Sequence, residues 1–242
     1  MPLQKDEAIV LIKKAYGESD RIVRLFAMSG GKLTAIAKGG GKSQRRFMNT
    51  LEPFNHIRIE YFRKQTRTMA RIENADIIES NGGIEGSLKK VCAASFFVEF
   101  IDKLTREGER NTELFNGLKG ILGNLKNTDF TSSDIVYSLL RILGHLGFAP
   151  NFDTCVYCGR YVPEDEKILF SRERGGILCS VCSTSLPFKA YPVGVIKGLS
   201  SPENGDRDKP EFIAYIRDIM EGFISFHLDV EIKSYRLLKN FI

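Results

Sequence analysis

The stretch Asp20-Arg-Ile-Val-Arg-Leu-Phe-Ala-Met-Ser-Gly-Gly-Lys-Leu-Thr-Ala-Ile-Ala-Lys-Gly-Gly-Gly-Lys42 reads as two β-strands and the turns that end them. DRIVRLFAM and GKLTAIAK are short, β-rich and partly alternating, with a turn signal at Ser29-Gly30-Gly31 between them and another at Gly39-Gly40-Gly41. Working outward, EAIVLIKK precedes the pair across Tyr16-Gly17, while FNHIRIEYF and TMARIENADII follow it, with Pro53 as a further break. Five such runs within about 80 residues predict a small closed barrel, and five-stranded Greek-key barrels of this size are typically OB-folds, a common platform for single-stranded nucleic acid.

Charge marks the same region. The chain carries a net +5, but residues 1–80 hold 15 Lys+Arg against 9 Asp+Glu, and the rest of the chain is close to neutral. Between Asp20 and Glu52 there are seven basic residues and no acidic one: Arg21, Arg24, Lys32, Lys38, Lys42, Arg45 and Arg46. The centre is Lys38-Gly-Gly-Gly-Lys42-Ser-Gln-Arg45-Arg46, where glycines let backbone approach a polyanion and the cations neutralise phosphates. The competing reading is a solvated loop. Gly41-Lys42-Ser43 is not a phosphate-binding P-loop, because that motif needs glycine where Ile36 stands and a strand-to-helix context. Tyr16, Phe26, Phe47, Phe54, Tyr61 and Phe62 are candidates either for base stacking or for the barrel core.

From Ser87 onward the period becomes helical. SLKKVCAASFFVEFIDKLTREG sets Val91, Phe96, Phe97, Phe100, Ile101 and Leu104 on a broad apolar stripe. TELFNGLKGILGNLKN and TSSDIVYSLLRILGHLG follow, the second with Thr131 to Ser133 as cap candidates and Gly147 then Pro150 as stops. PEFIAYIRDIMEGFISFHL and EIKSYRLLKNFI are again helical. The expected organisation is α+β and multidomain: an OB-fold barrel over residues 1–80, a helical domain over 81–150 and 190–242, and a cysteine module over 151–189 inserted into it.

That module is marked by Cys155, Cys158, Cys179 and Cys182, a C-x₂-C-x₂₀-C-x₂-C array using four of the five cysteines. The spacing matches a tetrahedral zinc site in which each pair presents two thiolates from one tight turn, and Gly159 supplies the backbone freedom such a knuckle needs. Four protein ligands leave no open position, so one Zn²⁺ per chain would be structural. The alternative is two disulfides or a dithiol pair. Cys92, in an apolar run, reads as a small core residue.

No apolar run approaches the ~20 residues of a membrane span, and Lys5, Asp6 and Glu7 interrupt any signal peptide, so the expected compartment is the cytoplasm. Catalytic motifs are lacking: there is no H-x-E for a zinc deaminase and no G-x-S-x-G, and His56, His145 and His227 are scattered. A non-enzyme is expected, with a protein-binding zinc-ribbon adaptor and a cryptic nucleotide-dependent enzyme as competing classes.

Taken in order, several stretches resemble the RecO family of bacterial recombination mediators. Glu7-Ala-Ile-Val-Leu, Tyr16-Gly-Glu-Ser-Asp-Arg21, Gly31-Lys-Leu-Thr-Ala-Ile-Ala-Lys-Gly39 and Leu51-Glu-Pro-Phe54 look like the family's barrel signature. Leu146-Gly-Phe-Ala-Pro150 leading into Cys155-x-x-Cys-Gly159 looks like its helix-to-zinc junction, and Lys233-Ser-Tyr-Arg-Leu-Leu238 like its C-terminal motif. The resemblance implies a nucleoid-associated protein that binds single- and double-stranded DNA and anneals complementary strands. It also implies work with RecR and RecF to load RecA onto DNA coated with single-strand-binding protein, without covalent chemistry. For the acidic, apolar-ended tail of single-strand-binding protein, Lys233, Arg236 and Lys239 on the terminal helix, beside Leu237, Leu238 and Phe241, are candidates for part of a receptor, the alternative being an amphipathic helix buried on its leucine side.

Overall fold

A computed structural model of the chain describes residues 2–43, 46–63, 69–162, 168–192, 195, 210–228 and 231–241. The chain forms two compact units, Met1–Asp129 with Ile232–Leu238, and Phe130–Glu231 with Lys239–Ile242.

The first unit opens with β1 (Gln4–Tyr16), β2 (Asp20–Ala27), β3 (Gly31–Ala37), β4 (His56–Phe62) and β5 (Ala70–Glu79). They close into a barrel in the order β1-β2-β3-β5-β4, with β3 and β5 parallel and the other pairs antiparallel. This is the Greek-key barrel of the OB-fold. The alternation written in β3 is realised residue by residue: Leu33, Ala35 and Ala37 are buried, while Lys32, Thr34 and Ile36 face outward. Small and large side chains interleave inside, with Ala8, Ala35 and Ala37 between Val10, Leu25, Leu33, Ile57, Ile59 and Ile72.

Part of the outer wall is buried too. Ile9, Phe26 and His56 are fully covered although they lie outside the barrel core. Their cover includes α2 (Thr112–Asn127), whose Phe115 ring lies 6.4 Å from Phe26 and 5.8 Å from His56. Helix α1 (Leu88–Leu104) buries Phe96, Phe97, Phe100 and Ile101, and Asn111 caps α2 by accepting from Leu114 N at 2.9 Å. Cys92 is buried, as expected.

In the second unit, α3 (Ser132–His145) starts at a capping box in which Thr131 and Asp134 satisfy each other's backbone, the start that the sequence predicts. A sheet of order β7-β6-β8 follows, from β6 (Ile168–Ser171), β7 (Gly176–Leu178) and β8 (Lys189–Tyr191), and then α4 (Pro210–His227). Asp218 on α4 accepts from Arg172 and Lys189, each at 2.8 Å, and from the Tyr191 hydroxyl, so one carboxylate joins sheet to helix.

The C-terminal segment corrects the sequence reading. Among the described residues here only Tyr235–Leu238 (α5) is helical, a single turn, where a longer helix is expected from residue 231. The apolar side chains here do not repeat around a helix: Ile232 and Leu238 are buried while Leu237 is exposed.

Candidate nucleic-acid interface and metal centre

The Sγ atoms of Cys155, Cys158, Cys179 and Cys182 all lie within 4.8 Å of one another, a cluster that could hold a metal ion. Cys155 and Cys158 stand on one turn, closed by Gly159 N donating to Cys155 O at 2.8 Å, with Gly159 at φ +73 as the sequence requires. Cys179 follows β7, and Cys182 begins a short 3₁₀ turn, Cys182–Ser185. Burial raises the Cys155 thiol, but the backbone N–H groups of Cys158, Cys179 and Tyr157 outweigh it and hold its pKa at about 6. Proton sharing, first with Cys179, pushes Cys182 up to about 12. Four thiol donors converging within 4.8 Å from two tight turns fit a tetrahedral metal, which would bind them as thiolates.

The basic residues divide into two groups. Arg24 Nη1 lies 2.9 Å from Asp102 Oδ2 on α1, and Lys32 Nζ donates to Asp102 O at 2.5 Å. Asp102 is almost wholly buried; burial raises its pKa, and Arg24 and then Lys32 oppose that rise. These two cations are therefore engaged by α1.

Arg21, Lys38, Lys42 and Arg46 gather at the opposite end of the β2–β3 pair. Asp20 accepts from Lys38 Nζ at 2.6 Å and from Gly39 N at 2.8 Å, and the Lys38 bond leads the lowering of its pKa. The Arg46 guanidinium donates to Lys38 O at 3.0 Å and stacks over Phe47. Gly41 packs on the Arg21 guanidinium so closely that a Cβ there would come within 2.5 Å of it, so this glycine serves an arginine of the chain itself. Lys42 is exposed and in no ion pair among the described residues. Arg45 lies outside the described residues.

Strand register adds residues that a search confined to 21–46 misses. Lys14 pairs with Ile22, Ile22 with Ile36, Ile36 with Arg71 and Arg71 with Phe62, giving one row across the outer barrel wall. Lys14 and Arg71 are exposed, with Arg71 paired to Glu73 at 2.7 Å; Ile22 and Ile36 are half-buried between them, and Phe62 is half-buried beyond Arg71. Of the other aromatic candidates, Phe47 and Tyr61 belong to the barrel core, Phe26 lies against Phe115, and Tyr16 is exposed. Phe54 adopts φ 73, a left-handed conformation, and its backbone bonds to Val10 O at 2.8 Å.

Residues 1–81 match the family described as "Recombination protein O N terminal", and residues 85–236 match "Recombination protein O C terminal". The chain belongs to the RecO family. The DNA repair protein RecO of Myxococcus xanthus is 34% identical over 232 residues, covering 95% of this chain and 94% of that protein. The protein of that name from Thermoanaerobacter sp. is 31% identical over 250 residues, covering 99% and 98%. That of Syntrophus aciditrophicus is 30% identical over 247 residues, covering 97% and 94%.

Within this RecO chain the three cations expected on the terminal helix do not share a helix. Lys233 precedes α5 and Lys239 follows it, and only Arg236 lies in the turn. Lys233 and Arg236 belong to the first compact unit and Lys239 to the second. Among the described residues no helix is long and apolar enough to cross a membrane.

Proposed function

We propose that the chain is a DNA-binding recombination mediator that binds single- and double-stranded DNA along the outer barrel wall. The observation that carries this reading is the row Lys14–Ile22–Ile36–Arg71, continuous with the cationic end formed by Arg21, Lys38, Lys42 and Arg46. Lys14 and Arg71 neutralise phosphates, while half-buried Ile22 and Ile36 between them and Phe62 beyond Arg71 accept base faces without reading sequence. Annealing follows from such a surface, because strands held by their backbones keep their pairing edges exposed.

Loading of RecA onto DNA coated with single-strand-binding protein, in concert with RecR and RecF, rests on membership of the RecO family. The relatives' printed name, DNA repair protein, agrees with it. In this reading residues 1–80 contact DNA, residues 151–189 hold one structural Zn²⁺ on Cys155, Cys158, Cys179 and Cys182, and the helical segments 81–150 and 190–242 meet protein partners. Exposed Lys233 and Arg236 beside exposed Leu237 suit the acidic, apolar-ended tail of single-strand-binding protein. The chain acts without covalent chemistry in the cytoplasm, at the nucleoid. His56 is bonded to Glu7 and His227 to the Arg172 carbonyl, both in packed surroundings.

Annealing of complementary oligonucleotides by the purified full chain, with and without single-strand-binding protein, tests the reading. Acceleration over the spontaneous rate is expected, and loss of that acceleration in a Lys14→Gln, Lys42→Gln, Arg71→Gln variant. Absence of both DNA binding and annealing in the folded protein would overturn it.

A further inference from the structure

The tips of the two cysteine knuckles carry side chains that the thiol cluster does not need. Tyr157 stands between Cys155 and Cys158, and Val181 between Cys179 and Cys182. Tyr157 is 63% exposed, Val181 67% and the neighbouring Tyr161 61%. Because all four Sγ atoms converge within 4.8 Å, the two tips flank one centre. Large apolar side chains exposed one at a time are ordinary surface, but three around a single pair of turns form a patch.

The patch is cationic at its edge. The Arg174 guanidinium lies over the Tyr157 ring, 5.9 Å from its centroid, and Arg160 follows in the first knuckle. Both arginines are exposed, and neither is in an ion pair among the described residues. The rings stand on fixed backbone: Cys155 N donates to Arg160 O at 2.8 Å, Val156 N to Ile177 O at 2.9 Å, and Thr154 bridges to Tyr161. Rigid, exposed aromatic faces beside unpaired guanidinium groups complement a ligand that offers both flat π-faces and negative charge. A single strand offers both, whereas a duplex hides its base faces in the stack.

We propose that the knuckle face is a second contact for single-stranded nucleic acid, with unpaired bases on Tyr157 and Tyr161 and the backbone on Arg160 and Arg174. This rests on the reading of the chain as a DNA-binding protein and gives the second unit a share in it. The contact selects unpaired strands over duplex and tolerates any base.

Titration of the full chain with oligo(dT) and with a duplex of equal length tests this. The chain has no tryptophan and 8 tyrosines, so its intrinsic emission is tyrosine emission, and loss of the strand-induced change in Tyr157→Ala and Tyr161→Ala assigns that change to the knuckles. Each of Tyr157→Ala and Tyr161→Ala is expected to weaken oligo(dT) binding by about tenfold. Neither should alter the salt slope or the duplex affinity, and Tyr157→Phe should bind as the parent does. Arg160→Gln and Arg174→Gln should each make the single-strand slope shallower by about 0.7. Metal content should be unchanged in every variant, since no cysteine is altered. A 5-iododeoxyuridine oligonucleotide photo-crosslinked to the unaltered chain should attach at Tyr157 or Tyr161. Unchanged oligo(dT) affinity in the double tyrosine variant, together with crosslinks confined to the barrel, would remove the knuckles from the DNA interface and leave the barrel reading standing. Loss of RecR binding in that variant with DNA affinity intact would make the patch a protein-docking surface and overturn the inference as well.

Discussion

The Glu99 carboxylate on α1 accepts a hydrogen bond from the Ser234 hydroxyl at 2.6 Å, although 135 positions separate the two residues in sequence. The same carboxylate accepts from Ser234 N at 2.8 Å and Lys233 N at 3.0 Å, and it pairs with Lys103. The chain therefore returns, after residues 130–231 of the second unit, to be capped by a helix of the first.

Burial alone would raise the Glu99 pKa, but the bonds from Ser234, then Lys233 and Lys103, outweigh it and hold the value at about 2. A carboxylate depressed in the folded state contributes stability that is complete above its ordinary range, near 4.5 here, and lost as pH falls toward 2. Solvent reaches this half-buried carboxylate, so the contribution after screening is on the order of 2 kcal/mol. Glu99→Ala should accordingly free the C-terminal turn at neutral pH, read as faster amide exchange over residues 232–238 and cleavage there by a protease. In the parent protein, protection of that turn should fade between pH 4.5 and 2. Equal exchange in variant and parent would show that packing of Ile232 and Leu238 suffices.

Arg24 and Asp102 lead to a second expectation. Asp102 is only 5% exposed, and its Oδ1 has no hydrogen-bond partner among the described residues, so the charge relies on Arg24 and Lys32. Removing one partner of a buried pair leaves an uncompensated charge, at a cost of about 2–3 kcal/mol with one side partly exposed. Arg24→Ala should lower denaturant stability by that amount and leave the DNA affinity of the folded protein unchanged. Arg24→Ala with Asp102→Ala should recover part of the loss. A fall in DNA affinity without a fall in stability would return Arg24 to the interface.

The outer barrel wall yields a number for DNA. About five phosphates neutralised on a single strand give a slope of log K against log salt near −3.5. Lys38→Gln, Lys42→Gln and Arg46→Gln together should reduce the steepness by about 2, equally for all sequences. A slope that does not move would put the contacts on other cations.

Much of this architecture is legible in the sequence because it is local. Alternation in Leu33, Ala35 and Ala37 writes a strand directly, and Thr131 with Asp134 writes a helix start. The four cysteines announce their own cluster by spacing. What is not legible depends on partners far along the chain. Nothing near Arg24 or Lys32 in sequence indicates that Asp102 will meet them, so both count among the free cations of a basic segment until α1 is in place. Arg71 joins Lys14 only through the register of four strands. The terminal segment has helix-forming residues but too few buried contacts to propagate beyond one turn, and Glu99 holds its backbone by capping instead.

The cysteine cluster supports the last expectation. A structural metal supplies folding free energy, apparent values in small zinc peptides being ~10–16 kcal/mol, so loss of one ligand should unfold the module locally. Elemental analysis of purified protein should find one zinc per chain, and Cys155→Ser should lower it below that and expose residues 151–189 to protease. The barrel lies in the other compact unit and buries its own core, so its spectroscopic signature should survive in that variant. Because thiolates must be deprotonated to bind, acidification should release the metal and restore four titratable thiols, and raising the pH with added zinc should reverse the release. Four thiols that react freely at neutral pH in freshly purified protein, with no zinc present, would refute the assignment. Two disulfides in place of free thiols would replace it with a crosslinked module.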